Sequence, residues 1–500
     1  MSAANAAEVL VGGTDPAGGI GDFYLTNGVV TAIVDGVGVQ QDLFDETGIR
    51  VPRQNSVAPT GGTLVDLARV GLGNDQLTQA FLVVGIDSDQ LPSYESVETA
   101  VEPSAAVVRA IGSVPFDPDT DDGPLPERAL TVITEYRAEG VRPALTMRTT
   151  VANPGPDPVP LLNVFDAIPW TMKGPLPFTP MPGKGFHHHV LPDFTMPQAL
   201  VPAFELAPYV VAAGVVDERD GPIDDRTGRP EAPVGGVCYG IVSGGATLDA
   251  DGAGPLPASP AVGPPFVFGL NNTTASAVGF GGPNVIPPGG SFTYTRHLFV
   301  GARSDVAACT DLILDHFGVP TVEARGRVAD TSGAGVDASL LISLSGPPPL
   351  PELLPGAPLT QVRTAADGSF RLRLPAGIYR VRASASERPA VEGVLTVASD
   401  GVASLALAAM EEPARIAVAV EVDGAAAPAR VSFLPDGGEP PRIGKLFDVV
   451  TFDTSRPGAC AADSGRSCTS DAECEAAGPC VRVCSLDPER RCASDLECLP

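Results

Sequence analysis

Residues 364–381 read Thr-Ala-Ala-Asp-Gly-Ser-Phe-Arg-Leu-Arg-Leu-Pro-Ala-Gly-Ile-Tyr-Arg-Val, and this stretch is the clearest indication of the fold class. Apolar residues alternate with polar ones in two runs: Phe370, Leu372 and Leu374, then Tyr379 and Val381. Because successive side chains of a β-strand point to opposite faces, each run predicts a strand with one face in a core. Asp367-Gly368 and Pro375-Ala376-Gly377 have the composition of turns. The stretch therefore predicts antiparallel β-structure.

This stretch closes a compact unit that we place at residues 321–410. The unit begins with Val322–Val328, a turn at Gly333 and Gly335, and a second apolar run at Ala338–Leu344. The succession resembles the carboxypeptidase regulatory-like domain. The resemblance implies a small, seven-stranded, transthyretin-like β-sandwich with a carbohydrate-binding-like fold. Members of that family mostly serve as spacers or scaffolds, and some are binding modules.

The preceding residues, 1–320, contain many short β-type runs. These runs include Phe23–Leu25, Val29–Val34, Ala106–Ile111, Leu130–Tyr136, Leu145–Val151, Tyr209–Val216 and Phe292–Val300. The 56 glycines and 52 prolines among 500 residues favour many short strands over long helices. Asn27-Gly28 predicts a hairpin turn, and Asp305–Phe317 predicts one helix. We therefore predict an all-β chain in which residues 1–320 form one large antiparallel β-sandwich.

The charge of the chain restricts its partners. It contains 60 acidic and 32 basic residues, for a net charge of −28. That charge repels nucleic acid and anionic membranes, and we expect neither as a partner. No apolar run approaches the roughly 18 residues of a membrane span. Lys173, Lys184 and Lys445 are the only lysines, and we interpret the excess of arginine as a result of coding composition rather than of function.

Seven of the nine cysteines lie in residues 456–500, the cysteine-rich repeats. They are Cys460, Cys468, Cys474, Cys480, Cys484, Cys492 and Cys498, and pairs of them recur with a period of 24 residues. No two of them are separated by two residues and no histidine lies among them, so the segment predicts disulfides rather than a zinc site. Disulfides indicate an oxidising compartment. We expect an extracellular, cell-surface or periplasmic protein, although no signal peptide is visible at residues 1–8.

The same period places further cysteines near positions 504 and 508, beyond Pro500. We therefore expect residues 456–500 to be truncated repeats of a longer polypeptide, and we expect any catalytic domain to follow them. Residues 411–455 predict a partial third β-sandwich, with strands at Arg415–Val422 and Ala429–Leu434.

Two short clusters contain candidate metal ligands. In a strand, His187 and His189 share one face and can present two imidazoles to one ion or substrate, but the surrounding glycines and prolines favour a loop. Asp117, Asp119 and Asp121 alternate as calcium ligands do. They lack the spacing of an EF-hand, and a solvated acidic loop is the alternative. Calcium is the one cofactor that these residues suggest.

The remaining candidates are single residues. Trp170, the only tryptophan, could form the floor of a sugar site by stacking, with core packing as the alternative. His297 and His316 are isolated in the sequence and predict structural roles. The chain contains no Gly-x-Ser-x-Gly, His-Glu-x-x-His, Walker or dinucleotide-binding motif, and we assign it no catalytic residue.

A succession of motifs extends along the large domain. In order, they are Gly21-Asp22-Phe23-Tyr24-Leu25, Gly61-Gly62-Thr63-Leu64-Val65-Asp66-Leu67, Asn74-Asp75-Gln76-Leu77, Tyr94-Glu95-Ser96-Val97, Ala106-Val107-Val108-Arg109 and Leu145–Gly155. Their order resembles the non-catalytic front half of CehA/McbA-type metallohydrolases, of the PHP superfamily. The resemblance implies β-sandwiches that precede a hydrolase barrel, in which divalent metal ions activate water. Because such a barrel carries a His-x-His motif in a different context from His187-His188-His189, no residue here inherits a catalytic role.

Two functions fit these observations. In the first, the chain is the non-catalytic accessory region of a secreted, metal-dependent hydrolase, and its partner is a downstream catalytic domain of the same chain. In the second, it is an extracellular binding or adhesion protein whose β-sandwiches bind a carbohydrate or protein ligand and whose cysteine repeats form a stalk.

Overall fold

The computed structural model describes the following residues: 2, 6–13, 17–37, 43–44, 50–51, 61–77, 79–85, 89–115, 129–161, 163–169, 176–182, 185–186, 189–190, 199–200, 207–214, 223–224, 229–230, 236–249, 256–257, 266–270, 273–277, 284–351, 353–386, 388–400, 403–412, 421–422, 425–426, 458–460, 463–468, 480–483 and 491–492. Residues 1–194 and 198–415 form one compact unit, and residues 195–197 and 416–500 form another.

In the first part of the larger unit, most of the described residues lie in strands. After a short helix α1 (Ala6–Val9), they are β1 (Phe23–Thr26), β2 (Val30–Val34), β3 (Leu43–Phe44), β4 (Arg50–Val51), β5 (Leu64–Arg69), β6 (Phe81–Gly85), β7 (Asp89–Gln90), β8 (Ser93–Glu102), β9 (Ala105–Pro115), β10 (Ala129–Glu139), β11 (Ala144–Ala152), β12 (Val159–Leu161), β13 (Asn163–Pro169), β14 (Leu176–Phe178), β15 (His189–Val190), β16 (Ala199–Leu200), β17 (Tyr209–Ala213), β18 (Ile223–Asp224), β19 (Arg229–Pro230), β20 (Cys238–Asp249), β21 (Leu256–Pro257), β22 (Phe266–Leu270), β23 (Thr273–Ala277), β24 (Asn284–Ile286) and β25 (Ser291–Gly301).

These strands form a large sandwich. One layer is a nine-stranded antiparallel sheet with the order β14-β17-β20-β25-β11-β10-β9-β8, in which β21 also pairs with β20. Opposite it lie a three-stranded sheet, β1-β2-β5, and a five-stranded sheet, β22-β23-β13-β6-β7. Buried side chains of all three sheets form one apolar core, which includes Val30, Leu64 and Val84 from one layer and Val132 and Leu298 from the other.

The alternation of residues along the central strands explains why this sheet has one buried face. In β10, every second side chain from Leu130 to Ala138 is buried, and those between them are half-buried on the opposite face. The same pattern holds in the first residues of β25. This period of two is the pattern from which the strands were predicted. The all-β prediction is confirmed.

The predicted hairpin at Asn27-Gly28 is present, but its loop is longer than a two-residue turn. The last cross-strand pair is Thr26 with Thr31, and Gly28 has a φ of 81°. The side-chain carbonyl of Asn27 accepts the amides of Val29 and Val30, each at 2.9 Å. Asn27 therefore shapes the loop through its side chain, because an Asx-type hydrogen bond can replace a backbone turn.

Seven strands that follow residue 320 form a small sandwich. They are β26 (Val322–Arg327), β27 (Ser339–Leu344), β28 (Pro358–Arg363), β29 (Ser369–Leu374), β30 (Gly377–Ser384), β31 (Val391–Val397) and β32 (Ala403–Leu407). One layer has the order β28-β27-β30-β31-β32, and the other is the pair β26-β29. The alternating residues of the opening stretch lie as expected, with Phe370, Leu372 and Leu374 buried in β29 and Tyr379 and Val381 buried in β30.

A single helix joins the two sandwiches. Helix α2 (Ala307–His316) lies within the predicted range, and the amide of Ala308 near its start donates to the Asp305 carboxylate at 3.0 Å. Four of its six buried side chains belong to a second core that contains residues of both sandwiches, including Val211, Phe299, Leu340 and Leu359. The sequence predicts a boundary near residue 320 but gives no sign of this shared core.

Three further contacts fix the helix and the two sandwiches together. A disulfide joins Cys238 of β20 to Cys309 of α2, with 6.1 Å between their Cα atoms. The Thr310 hydroxyl lies 2.7 Å from that of Thr360 in β28. The Tyr209 hydroxyl of β17 donates to the carbonyl of Leu359 in β28 at 2.6 Å. The large sheet is therefore tied to the small sandwich both through α2 and directly.

The second unit contains β33 (Glu421–Val422), β34 (Ala425–Ala426), β35 (Gly458–Cys460), β36 (Asp463–Cys468), β37 (Cys480–Val483) and β38 (Arg491–Cys492). The last four form a sheet with the order β36-β35-β37-β38, in which Cys460 lies opposite Cys480. Cys474, Cys484 and Cys498 lie outside the described residues, as does the predicted strand at 429–434. The disulfides of the repeats remain a prediction. Within the described part of the chain, no helix has the length and apolar character needed to cross a membrane.

The shared core makes a prediction about stability. Ile313 of α2 is fully buried between the sandwiches, whereas Ile378 in β30 is 54% exposed. We expect Ile313→Ala to lower the free energy of unfolding by about 2–5 kcal/mol, because it leaves a cavity. Urea denaturation monitored by circular dichroism measures this loss. The control Ile378→Ala is expected to cost less than about 1 kcal/mol. Equal losses for the two variants would contradict the shared core.

Candidate functional site

Most of the candidate site residues, metal ligands and the proposed sugar-stacking residue alike, lie outside the described residues. This is the case for His187, for Trp170, and for the acidic cluster Asp117, Asp119 and Asp121. His189 lies in the two-residue strand β15, of which only the backbone is described. The metal and calcium sites therefore stay predictions. Among the described residues, no group of three or more histidine, cysteine, aspartate or glutamate side chains is arranged to hold a metal ion.

His297 and His316, which the sequence shows as isolated, lie side by side. Their ring centroids are 4.7 Å apart, and Nδ1 of His297 lies 3.1 Å from the Thr146 hydroxyl. Their proximity is not visible in the sequence, where 18 residues lie between them. Burial lowers the pKa of His297 to about 4. The nearby His316 and Arg142 contribute to this lowering, and the charge of Glu139 opposes it. Burial also lowers the pKa of His316. The lowered pKa values of the two rings favour their neutral forms at pH 7.

A buried ion pair connects the two layers of the large sandwich. Arg296 of β25 and Asp166 of β13 form this pair, and both are almost completely buried. The Tyr294 hydroxyl also donates to Asp166, and Arg296 donates to the Thr149 hydroxyl at 2.6 Å. The network continues through Thr134. Because it is enclosed by the core and joins opposite sheets, it is structural.

The motifs of the large domain also have structural roles. The Asp66 carboxylate accepts the amides of Ala17 and Gly18 at 2.7 and 3.0 Å. Oδ1 of Asp75 accepts a hydrogen bond from the backbone amide of Leu67 at 2.9 Å. The side-chain amide of Asn74 donates to the backbone carbonyl of Gly236 at 2.9 Å. These side chains satisfy buried backbone groups that would otherwise lack partners. The motifs therefore encode loop geometry.

A cleft lies at the junction of the two sandwiches and is here called the junction cleft. Its volume is about 730 Å³. It is lined by backbone and side chains that include four arginines and two aspartates: Arg303, Arg325, Arg363, Arg371, Asp305 and Asp337. Arg303 and Asp305 lie between β25 and α2, and the other four belong to the small sandwich. The junction that α2 fixes thus also forms the cleft.

The charges of the junction cleft are only partly balanced. Asp305 is buried and already accepts hydrogen bonds from Nε of Arg303 at 3.1 Å and from the Ala308 amide. The exposed Asp337 lies 3.8 Å from Arg363, which is beyond hydrogen-bond distance. For Arg371, no hydrogen bond or ion pair is found within the described part of the chain. The cleft therefore presents net positive charge on a strongly acidic protein.

A smaller cleft of about 300 Å³ lies on the other side of Arg303. Asp311 of α2 lines it and accepts the backbone amide of Arg373 at 2.9 Å. Burial raises the pKa of Asp311 to about 6, while the hydrogen bond and the nearby arginines oppose this shift. The cleft contains acidic and basic groups in similar number. It therefore has no clear charge preference.

The junction cleft is not evident from the sequence. The sequence does contain a related pattern, Arg-x-Arg, at residues 325–327 and again at 371–373. In a strand, this spacing places both arginines on the same face. We interpreted the excess of arginine as coding composition. The pairing of β26 with β29, which brings the two faces together, is not visible in the sequence.

No protein-family model matches this chain, and no curated protein matches it. Among solved structures, the Slr1438 protein of Synechocystis sp. PCC 6803 is 10% identical, over 56% of this chain and 96% of that one, with a TM-score of 0.30. A galactose mutarotase-like protein of Clostridium acetobutylicum is 9% identical, over 56% and 94%, with a TM-score of 0.29. The GH36 alpha-galactosidase AgaA of Geobacillus stearothermophilus is 12% identical, over 58% and 42%, with a TM-score of 0.31. Likenesses this weak carry no argument about function.

The histidine pair predicts a pH dependence of stability. The pKa of His297 is about 4 in the folded state and about 6.5 when unfolded, so its neutral form favours folding. This stability is present above pH 6.5 and is lost as the pH falls toward 4, by on the order of 2 kcal/mol. We expect His297→Gln to lose less free energy of unfolding than the wild type between pH 7 and pH 4. Urea titrations at several pH values measure the difference between the two curves, in which the carboxylates common to both cancel. Parallel curves would contradict the assignment.

Proposed function

We propose that the larger unit is the non-catalytic scaffold of a secreted, metal-dependent hydrolase, and that it positions a substrate for a catalytic centre in another domain. The observation that carries this proposal is the core that α2 shares between the two sandwiches. Domains in one chain usually move relative to each other unless their interface is large and apolar. A scaffold must hold a fixed geometry, and a shared core provides one.

The chemistry of the cysteines supports secretion. The Cys238–Cys309 disulfide lies in the core of the larger unit, and seven more cysteines lie in the repeats. Structural disulfides persist in oxidising compartments and are rare in the cytosol. The proposal therefore places the protein outside the cell, at its surface or in the periplasm.

The second candidate function is that of an extracellular binding protein without a catalytic partner. The junction cleft favours it, because a concave site of this volume with several convergent charged groups suits a small ligand. The two candidates share this site. They differ in whether a hydrolase acts on what is bound there.

The test compares residues 1–500 with the complete product of the same gene. Both are assayed on phosphomonoester, phosphodiester and amide substrates, with Mn²⁺ or Zn²⁺ and after treatment with a chelator. We expect no turnover by residues 1–500 and metal-dependent turnover by the complete product, because the metal centre is expected in another domain. Chelator-sensitive turnover by residues 1–500 would overturn the scaffold function. An inactive complete product would favour the binding function.

A further inference from the structure

We propose that the junction cleft binds a small ligand that carries at least two oxyanion groups, either carboxylates or phosphates. The inference deepens the substrate-positioning part of the proposed function and rests on it. It derives from the arrangement of the arginines in the cleft, from the absence of a hydrogen bond or ion pair at Arg371 within the described residues, and from the size of the cleft.

The register of β26 and β29 places two like charges side by side. Arg325 and Arg371 are direct cross-strand partners, and both side chains are exposed. Like charges directly opposite each other on neighbouring strands destabilise a sheet. An anion between the two guanidinium groups would turn this repulsion into two attractive contacts. The pair therefore resembles a site prepared for an anion.

The acidic groups near the cleft offset this charge only in part. Glu323 forms an ion pair with Arg325, and Asp305 is engaged by Arg303 and by backbone amides. Asp337, 64% exposed, is the nearest carboxylate to Arg363. None of these hydrogen-bonds Arg371 within the described residues. Arg371 is thus available for a ligand, and Arg363 has only its exposed ion pair with Asp337 at 3.8 Å, which a ligand can replace.

The type of side chain defines the chemistry of the ligand. Guanidinium groups donate paired hydrogen bonds in a planar fork that matches the two oxygens of a carboxylate or phosphate. Two or more guanidinium groups around one cleft favour a ligand with more than one anionic group. The cleft volume of 730 Å³ is in the range of small-molecule sites. The net charge of −28 opposes long polyanions, so the ligand is short.

Isothermal titration calorimetry of the full chain tests the inference with two probes, inorganic pyrophosphate and digalacturonate. We expect at least one of them to bind with a stoichiometry of one, and more weakly in 150 mM than in 20 mM NaCl because salt screens exposed charges. Tighter binding of pyrophosphate identifies phosphate as the preferred oxyanion, and tighter binding of digalacturonate identifies a sugar carboxylate. No binding of either probe at millimolar concentration in 20 mM NaCl would overturn the inference.

Substitutions locate the site. We expect Arg371→Gln and Arg363→Gln each to weaken binding by about tenfold, the effect of losing a charged hydrogen bond. Arg382→Gln, on the exposed face of β30, is the matched control and should leave affinity unchanged. Equal affinity in all three variants would place the probe elsewhere and overturn the inference.

Stability separates a binding role of Arg371 from a structural one. Without ligand, Arg371→Gln should raise Tm slightly, because it removes the repulsion from Arg325. At the same ligand concentration, Tm should rise more for the wild type than for this variant, because the variant binds the ligand more weakly. A lower Tm for unliganded Arg371→Gln would indicate a structural role instead. Failure of binding would leave the result for Ile313→Ala unchanged, so a failed ligand assignment and a failed scaffold are distinguishable.

Discussion

The close packing of α2 against the outer face of the large sheet is the constraint on which the rest of the larger unit depends. The helix begins with two alanines and a cysteine, and it lies over glycines of the sheet. A Cβ atom at Gly240 would lie 2.8 Å from Cδ1 of Ile313, and one at Gly301 would lie 3.0 Å from the Cβ of Ala308. Small residues on both sides therefore let the helix approach closely enough for the Cys238–Cys309 disulfide to form.

This packing has consequences for both sandwiches. Helix α2 also packs against β28 of the small sandwich, where the Thr310 hydroxyl contacts that of Thr360. Apolar side chains of the helix and of both sandwiches form the second core there. The segment before the helix carries Arg303 and Asp305 to the mouth of the junction cleft. The cleft exists because two sandwiches that could have been joined by a flexible linker are instead held in one geometry. Fixed geometry and a charged concave surface are both needed to position a substrate.

Features that depend on residues near each other in the sequence could be predicted, and contacts between residues far apart in the sequence could not. Alternation in β10 and β29 and the range of α2 are local properties, and they were predicted. The contacts that organise the molecule are distant in sequence: 71 residues separate Cys238 from Cys309, and 130 separate Asp166 from Arg296. Single buried charges and cysteines have no periodic signal, so one sequence does not reveal their partners. The junction cleft was missed for the same reason, because its arginines come from three strands and a turn.

Native-state hydrogen exchange tests the central claim, that the two sandwiches are one cooperative structure, most directly. The account predicts that the slowest amides of β10 and β25, in the large sandwich, and of β27 and β30, in the small one, exchange with the same free energy of opening. Their exchange should also depend on denaturant in the same way, since the second core couples the small sandwich to the large one. If the amides of β27 and β30 exchanged through a separate opening of much lower free energy while those of β10 and β25 stayed protected, the sandwiches would be independent domains and the scaffold account would be contradicted.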